Sequence, residues 1–237
     1  MNYIVLDLEW NQGNEEKEKQ RKDIPFEIIE IGALKVRDGK VAERFIEFIR
    51  PLSPISPAIT SLTGITDEMV AGARNRSRVV SDFLEFCEDD VLIGHNVIFD
   101  YSFIKYSAVK EGLAFEKMGI DTLKIAKKVH ADMESKSLGS LCAHYHIKNK
   151  TAHRAYHDAL ATAKLYQTLA HYFEDTDPKL FKPVQLTYKV RQPQPATAKQ
   201  LTLLENLIRR KGIQPEWNTD TLTRSEASRI IDRLLKG

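Results

Sequence analysis

YIVLDLEWN, Tyr3 to Asn11, alternates as a β-strand does. Over residues 3–10, Tyr3, Val5, Asp7 and Glu9 share one face, while Ile4, Leu6, Leu8 and Trp10 share the other. Strand residues two apart lie about 6.5–7 Å from each other along the backbone. Asp7 and Glu9 therefore present two like charges side by side. They either lie on the solvated face of an edge strand or hold a cation between them. A hard, oxygen-preferring ion such as Mg²⁺ or Mn²⁺ suits the second arrangement.

The rest of the fold builds outward from this strand. Asn11 to Asp23 is polar and charge-rich, as a surface loop is. FEIIEIGALKV (26–36) and ERFIEFIRP (43–51) read as two more strands, turned at Asp38-Gly39, so the sheet starts antiparallel. After Pro51 the pattern changes. PLSPISPAITSLTGIT is Pro-punctuated with short helical turns, and SRVVSDFLEFCE has helical spacing. DVLIGHN is a short buried strand. It leads into a helix, FDYSFIKYSAVKEGL, with apolar or aromatic residues at Phe99, Phe103, Tyr106 and Val109. A strand near Met118–Ile120, a helix opened by Asp121-Thr122, a short helix in SKSLGSLCAHYHI and a long one in ALATAKLYQTLAHYF complete the series. Strands first, then alternation with helices, predict an α/β fold with a mixed sheet, antiparallel then parallel, flanked by helices.

Residues 1–178 make the main domain in this reading. The stretch 179–196 is expected to be a linker, with Pro183, Pro193 and Pro195, four basic residues (Lys179, Lys182, Lys189, Arg191) and no acid. Residues 197–237 hold two further helices. The first stops at Gly212, and the second opens with Thr223 and Glu226 at capping-box spacing. Two helices build little core alone, so this unit is expected to pack on something. Counting from Ala196, it carries eight Lys/Arg and five Asp/Glu. With the basic linker it is a candidate for contact with phosphates or with a protein, although solvated helix faces give the same counts.

Composition sets the wider bounds. The 237 residues are 42% hydrophobic and 29% charged, as in a globular chain, with net charge +2, so any nucleic-acid footprint must be local. Cys87 and Cys142 sit in apolar-periodic segments as small buried hydrophobes. No apolar run reaches membrane-spanning length, and MNYIVLDLEWN lacks the basic start and cleavage site of a signal peptide. The expectation is a reduced, cytoplasmic protein without membrane contact; its oligomeric state is unreadable.

Two further segments carry acids beside apolar residues, where an unpaired carboxylate is costly to desolvate. GHNVIFD places His95, Asn96 and Asp100 where a strand gives way to a helix, the position at which such sheets hold ligands. Asp100 also suits the helix dipole, and His95 and Asn96 suit a turn. HRAYHDA pairs His153 with Asp158. Five residues of helix turn through about 500°, so the two side chains meet only if His153 stands on the preceding loop. A loop histidine there is either simply solvated or able to take a proton from a metal-held water. Four acids and a histidine, in this order, are the minimum kit for splitting a phosphodiester with two metal ions.

With these residues in place, the chain resembles the DEDDh or DnaQ-like 3′–5′ exonucleases from Tyr3 to about Phe173. EIIEIGALKV looks like that family's second strand, LTGIT (62–66) like its nucleotide-side loop, and IDTLKIAKK (120–128) like the stretch before its last motif. The related tyrosine subgroup places its tyrosine four residues before the last acid; here that position is Arg154, which favours the histidine subgroup. The resemblance implies a ribonuclease-H-like sheet and release of nucleoside 5′-monophosphates from single-stranded DNA or RNA 3′ ends. It implies two divalent cations, Mg²⁺ or Mn²⁺, held by Asp7, Glu9, Asp100 and Asp158, with His153 as general base. It further implies substrate contacts around Leu8, Trp10, Leu62, Thr63, His95, Asn96 and Phe99, although Trp10 stands where the family commonly has Thr. The alternatives are a proofreading or processing subunit of a larger complex, and a non-catalytic module that binds nucleic-acid ends. Retention of all four acids and the histidine argues against the last.

Overall fold

The computed structural model describes residues 2–11, 27–149, 151–190, 194–215, 217–218 and 221–236. The expected surface loop Asn11 to Asp23 lies, beyond Asn11, outside the described residues.

Apolar side chains on both faces put β1 (Tyr3–Asn11) in the middle of a six-stranded sheet. β2 (Glu27–Arg37) pairs with it antiparallel, Tyr3 opposite Val36 and Glu9 opposite Glu30, and β3 (Lys40–Phe48) lies beyond. The β2–β3 turn is Asp38-Gly39, both at positive φ (50° and 75°), as a tight hairpin of matching twist requires. On the other side of β1, β4 (Val91–Gly94) and β5 (Met118–Asp121) run parallel to it. A two-residue β6 (Val184–Gln185) closes that edge antiparallel, giving the order β3-β2-β1-β4-β5-β6. The expected mixed sheet, antiparallel at first and parallel at its centre, is present.

Short helices α1 (Pro57–Thr63) and α2 (Asp67–Ala71) follow β3, and α3 (Arg76–Cys87) precedes β4. Then come α4 (Val97–Lys110), α5 (Thr122–Val129), α6 (Leu138–His144) and α7 (Ala155–Phe173). One core joins Ile4, Leu6 and Leu8 to Val79, Phe83, Tyr101 and Ile104 of α3 and α4. The other joins Tyr3 and Val5 to Ile125, Leu141, Ala159 and Leu165 of α5, α6 and α7. In α4 the buried stripe is Val97, Tyr101, Ile104 and Ala108, not the Phe99, Phe103, Tyr106 and Val109 row. That helix is apolar around most of its circumference, so spacing alone does not choose its inward face. Both cysteines are free and buried.

The first half of the expected linker is structured. Pro178–Phe181 form a 3₁₀ turn, Phe181 and Leu186 enter the main cores, and β6 pairs with β5. Gly119 makes room for this, because a Cβ there would stand 2.7 Å from the Leu186 side chain. The main unit accordingly runs to Lys189. From Val190 a second unit contains α8 (Ala198–Lys211) and α9 (Arg224–Lys236) around Leu204, Leu207, Ala227, Ile231 and Leu234. α8 ends at Gly212 in the left-handed conformation, as its sequence predicts. Among the described residues no helix is long and apolar enough to cross a membrane.

Candidate active site

β4 stops where β1 does not. Its last partner on β1 is Val5, opposite Ile93, so the segment from Asp7 onward has a free edge on that side. The backbone N–H of Leu8 uses this edge to donate to the carboxylate of Asp100, which stands buried in the first turn of α4. The chain reaches Asp100 through a sharp reversal: Asn96 sits at φ 74°, and its N–H donates to Asp121 Oδ1 over 2.9 Å. The same Asp121 oxygen caps α5 through Leu123 N–H at 3.0 Å.

His95 is committed to this scaffold. Its Nδ1 lies 2.9 Å from Thr122 Oγ1 and its Nε2 2.9 Å from the Lys136 carbonyl, so both nitrogens tie the end of β4 to its neighbours. Burial holds its pKa below the ordinary value. Both ring nitrogens of His95 are thus engaged with neighbouring elements.

Asp158 arrives from the opposite side of the sheet, one turn into α7. His153 precedes the helix at φ 62°, the loop placement that the spacing demanded, and its side chain is exposed. Both oxygens of Asp158 are held from that loop. His153 N–H donates to Oδ2 over 2.8 Å, and Asn149 Nδ2 to Oδ1 over 2.5 Å. Asn149 is a site residue that the sequence did not announce, since nothing in IKNK separates it from a turn.

Carboxylate oxygens of Asp7, Glu9 and Asp158 all lie within 4.8 Å of one another. Glu9 and Asp158 are buried, and Asp7 keeps partial solvent contact. Burial, then the charge of Asp158, raises the Glu9 pKa to about 8. Burial, then Asp100, Glu9, Asp158 and Glu30, pushes Asp7 well above the usual carboxylate range. Asp100 rises to about 7, chiefly through burial, against the lowering effect of the N–H groups that it accepts. Asp100 stands near Asp7 but outside the close trio. Three crowded, desolvated carboxylates fit a divalent cation, because an all-oxygen, triply anionic donor set is what hard ions take. Glu30 as a neighbour was not legible from its own segment, although a carboxylate in the apolar run EIIEIGALKV needs a partner. Its partner is Arg154.

The remaining expected contacts divide. The indole of Trp10, next to a register shift in the β1–β2 pairing, meets Phe99 of α4 edge-on at 5.9 Å and Phe103 stacked at 6.5 Å. Phe99 is 37% exposed, so these rings form a partly open aromatic surface flanked in sequence by Glu9 and Asp100. Leu62, 52% exposed, also faces solvent. The Leu8 side chain is in the core, and the Thr63 hydroxyl donates to the Ile59 carbonyl at 2.9 Å while accepting from Ile65 N–H. Asn96 keeps an exposed side chain.

A family model described as an exonuclease, RNase T, matches residues 4–166. A DNA polymerase III of the PolC type from Caldanaerobacter subterraneus subsp. tengcongensis is 42% identical over 144 residues, 61% of this chain and 10% of the polymerase. The chain thus spans about a tenth of the length of the curated relatives it matches. Among solved structures, the nuclease domain of 3′hExo, a DEDDh family member bound to rAMP, superposes with a TM-score of 0.61 at 17% identity, over 73% of this chain and 92% of that one. Exonuclease X in complex with 5′ overhanging duplex DNA gives a TM-score of 0.54 at 23% identity, over 76% and 96%. The sheet and its helices are those of the ribonuclease-H-like exonucleases.

Proposed function

The chain belongs to the RNase T exonuclease family, of DnaQ-like type, and on that premise we propose that it is a metal-dependent 3′–5′ exonuclease acting on single-stranded nucleic-acid ends. The observation that carries this reading is the convergence of Asp7, Glu9 and Asp158 within 4.8 Å, with the exposed His153 tethered by its N–H to Asp158. In this reading Asp7, Glu9 and Asp158 would hold one divalent cation, and Asp7 with Asp100 would hold the second. When bound, such ions stabilise the attacking and leaving oxygens of an in-line displacement. His153 takes the proton of the attacking water. Water adds to phosphorus, the bond to the O3′ of the penultimate nucleotide breaks with that oxygen taking a proton from solvent water to become a 3′-hydroxyl, and a nucleoside 5′-monophosphate departs. Trp10, Phe99 and Phe103 offer ring surface to the unstacked terminal base. A single-stranded end is favoured because the last nucleotide must leave its stack to reach the acids. A cytoplasmic setting belongs to the same reading.

The test is a time course on 5′-labelled single-stranded DNA and RNA of one sequence, with Mg²⁺, Mn²⁺ or EDTA. A ladder shortening from the 3′ end, dependent on metal and on Asp7, is the expected result, and the faster ladder names the substrate. Intact strands with a folded protein that still shifts them on a gel would instead leave a module that binds ends. The 42% identity to a PolC-type polymerase favours a second reading, proofreading within a larger assembly. Copurification with a replicative polymerase, lost on deleting residues 190–237, is the outcome that reading requires.

A further inference from the structure

We propose that Glu30 and Arg154 form a positioning clamp that fixes the start of α7, and with it Asp158 and the His153 loop, against β2 beside Glu9. The activity arm of this proposal rests on the exonuclease reading; its metal-binding arm does not.

Glu30 is 1% exposed and directly opposite Glu9 in the β1–β2 register. It accepts from Arg154 Nε at 3.1 Å, from Arg154 Nη2 at 2.8 Å and from the N–H of Ala155 at 3.1 Å. Arg154 is the N-cap residue of α7 and makes no capping bond with its own side chain. Glu30 therefore caps the helix from a different element, with charge-assisted bonds that fix direction as well as distance. Arg154 is held a second time, its guanidinium 5.4 Å from the Phe48 ring.

Gly32 completes the seat. It lies on the same face of β2 as Glu30 and opposite Asp7, and a Cβ there would stand 2.0 Å from Tyr156 N and 2.2 Å from the Ala155 carbonyl carbon. The first turn of α7 thus presses on bare strand backbone. Arg154 and Ala155 separate the two functional side chains along the chain, His153 just before them and Asp158 three residues after. The motif E-x-G on β2 and the motif H-R-A before α7 are two halves of one joint.

Stability is a poor explanation for this arrangement. A buried ion pair is often no better than apolar residues of the same size, and Glu30 adds a negative charge beside a cluster already crowded with them. Placement of the ligands is the gain that remains.

The experiment uses the full chain with Glu30→Gln, Arg154→Met and the double variant. Mn²⁺ affinity is read by calorimetry, kcat and KM at saturating Mn²⁺ on a labelled oligonucleotide, and folding by circular dichroism. Glu30→Gln keeps shape and an acceptor for Ala155, so it serves if Arg154→Met does not fold. Each single variant should lose about 10–100-fold in Mn²⁺ affinity and in kcat, the range for residues that orient metal ligands. KM should stay within about two-fold, because neither side chain touches substrate. The double variant should be no worse than the worse single. Affinity and kcat within about two-fold of wild type in the folded variants would overturn the clamp. So would a raised KM at unchanged kcat, which would make Arg154 a substrate contact. A wild-type protein that binds Mn²⁺ but cleaves nothing would remove the exonuclease reading, while calorimetry still decides the clamp.

Discussion

The acid-bearing end of β1 and the two-helix unit beyond Val190 are built on opposite balances. In the helical unit every described helix start is paired reciprocally, Thr197 with Gln200 and Thr223 with Glu226, and among its described residues no charged side chain is buried. At the end of β1, Glu9, Asp100 and Asp158 are buried together with Glu30, and the one guanidinium that offsets Glu9 is already bound to Glu30. A sequence selected for folding alone would not gather these carboxylates. Ionisable groups displaced far from their ordinary pKa mark a site whose arrangement serves chemistry.

The largest effect should come from relieving the crowding. Asp7→Asn removes a charge without changing shape, and activity should fall at least ~10²–10³-fold, as when a group that stabilises transition-state charge is lost. The metal-free protein should nonetheless melt higher, by roughly 2–4 °C for each kcal/mol of repulsion relieved. Thermal melts in EDTA beside the nuclease assay check both. An unchanged or lower melting temperature would mean that the acids are not under strain and that the two regions do not differ in balance.

His153→Ala should separate chemistry from metal binding. The rate should drop by about 10²–10⁴-fold, the usual contribution of a general base, with Mn²⁺ affinity and melting temperature unchanged. The tether to Asp158 is the backbone N–H of His153, which the substitution leaves in place. A parallel loss of Mn²⁺ affinity would assign the imidazole to the metal instead.

The two regions should answer pH with opposite sign. Glu9 has its folded pKa raised from 4.5 to about 8. It adds stability that is complete below the unfolded value and is lost as pH rises toward 8, since the unfolded chain then releases a proton that the folded one keeps. Glu226 is held below its ordinary value, first by the Thr223 N–H and then by the Thr223 hydroxyl. Its contribution is present above 4.5 and fades as pH falls below that. In EDTA, hydrogen exchange should therefore show the main unit loosening from pH 5 to pH 8 and α9 loosening toward pH 4. Mn²⁺ should protect the main unit more at pH 8 than at pH 5.

What the sequence disclosed follows the same division. Alternation in YIVLDLEWN and the Asp38-Gly39 turn sufficed for the three-strand start, because strand period and turn chemistry are local. The placement of His153 on a loop followed from helical geometry alone, and the four acids stood out by their apolar surroundings. The inward face of α4 was not legible, since a helix apolar on most sides leaves the choice to its neighbours. Phe181 and Leu186 were hidden in a Pro-punctuated basic stretch, their burial decided by the edge of β5 and the gap at Gly119. Glu30 and Arg154 were missed because pairing across 124 residues leaves no local pattern; Asn149, only nine residues from Asp158, was missed because nothing in IKNK separates it from a turn.

The smallest effect tests the quiet side of the comparison. Thr223 Oγ accepts from Glu226 N–H at 3.3 Å, and the Glu226 carboxylate accepts from Thr223 N–H at 2.8 Å, so each satisfies a donor that the start of α9 would otherwise leave open. Thr223→Ala removes the hydroxyl half of this exchange and should cost about 1 kcal/mol, the usual loss at an N-cap. Because the acid trio lies wholly within the main unit, cleavage of a short oligonucleotide should not change. Exchange protection in α9 should fall while that of β1 and β2 stays fixed. If the rate on a short substrate fell as well, the helical unit would be coupled to the acids, and the opposite balances would belong to one cooperative structure.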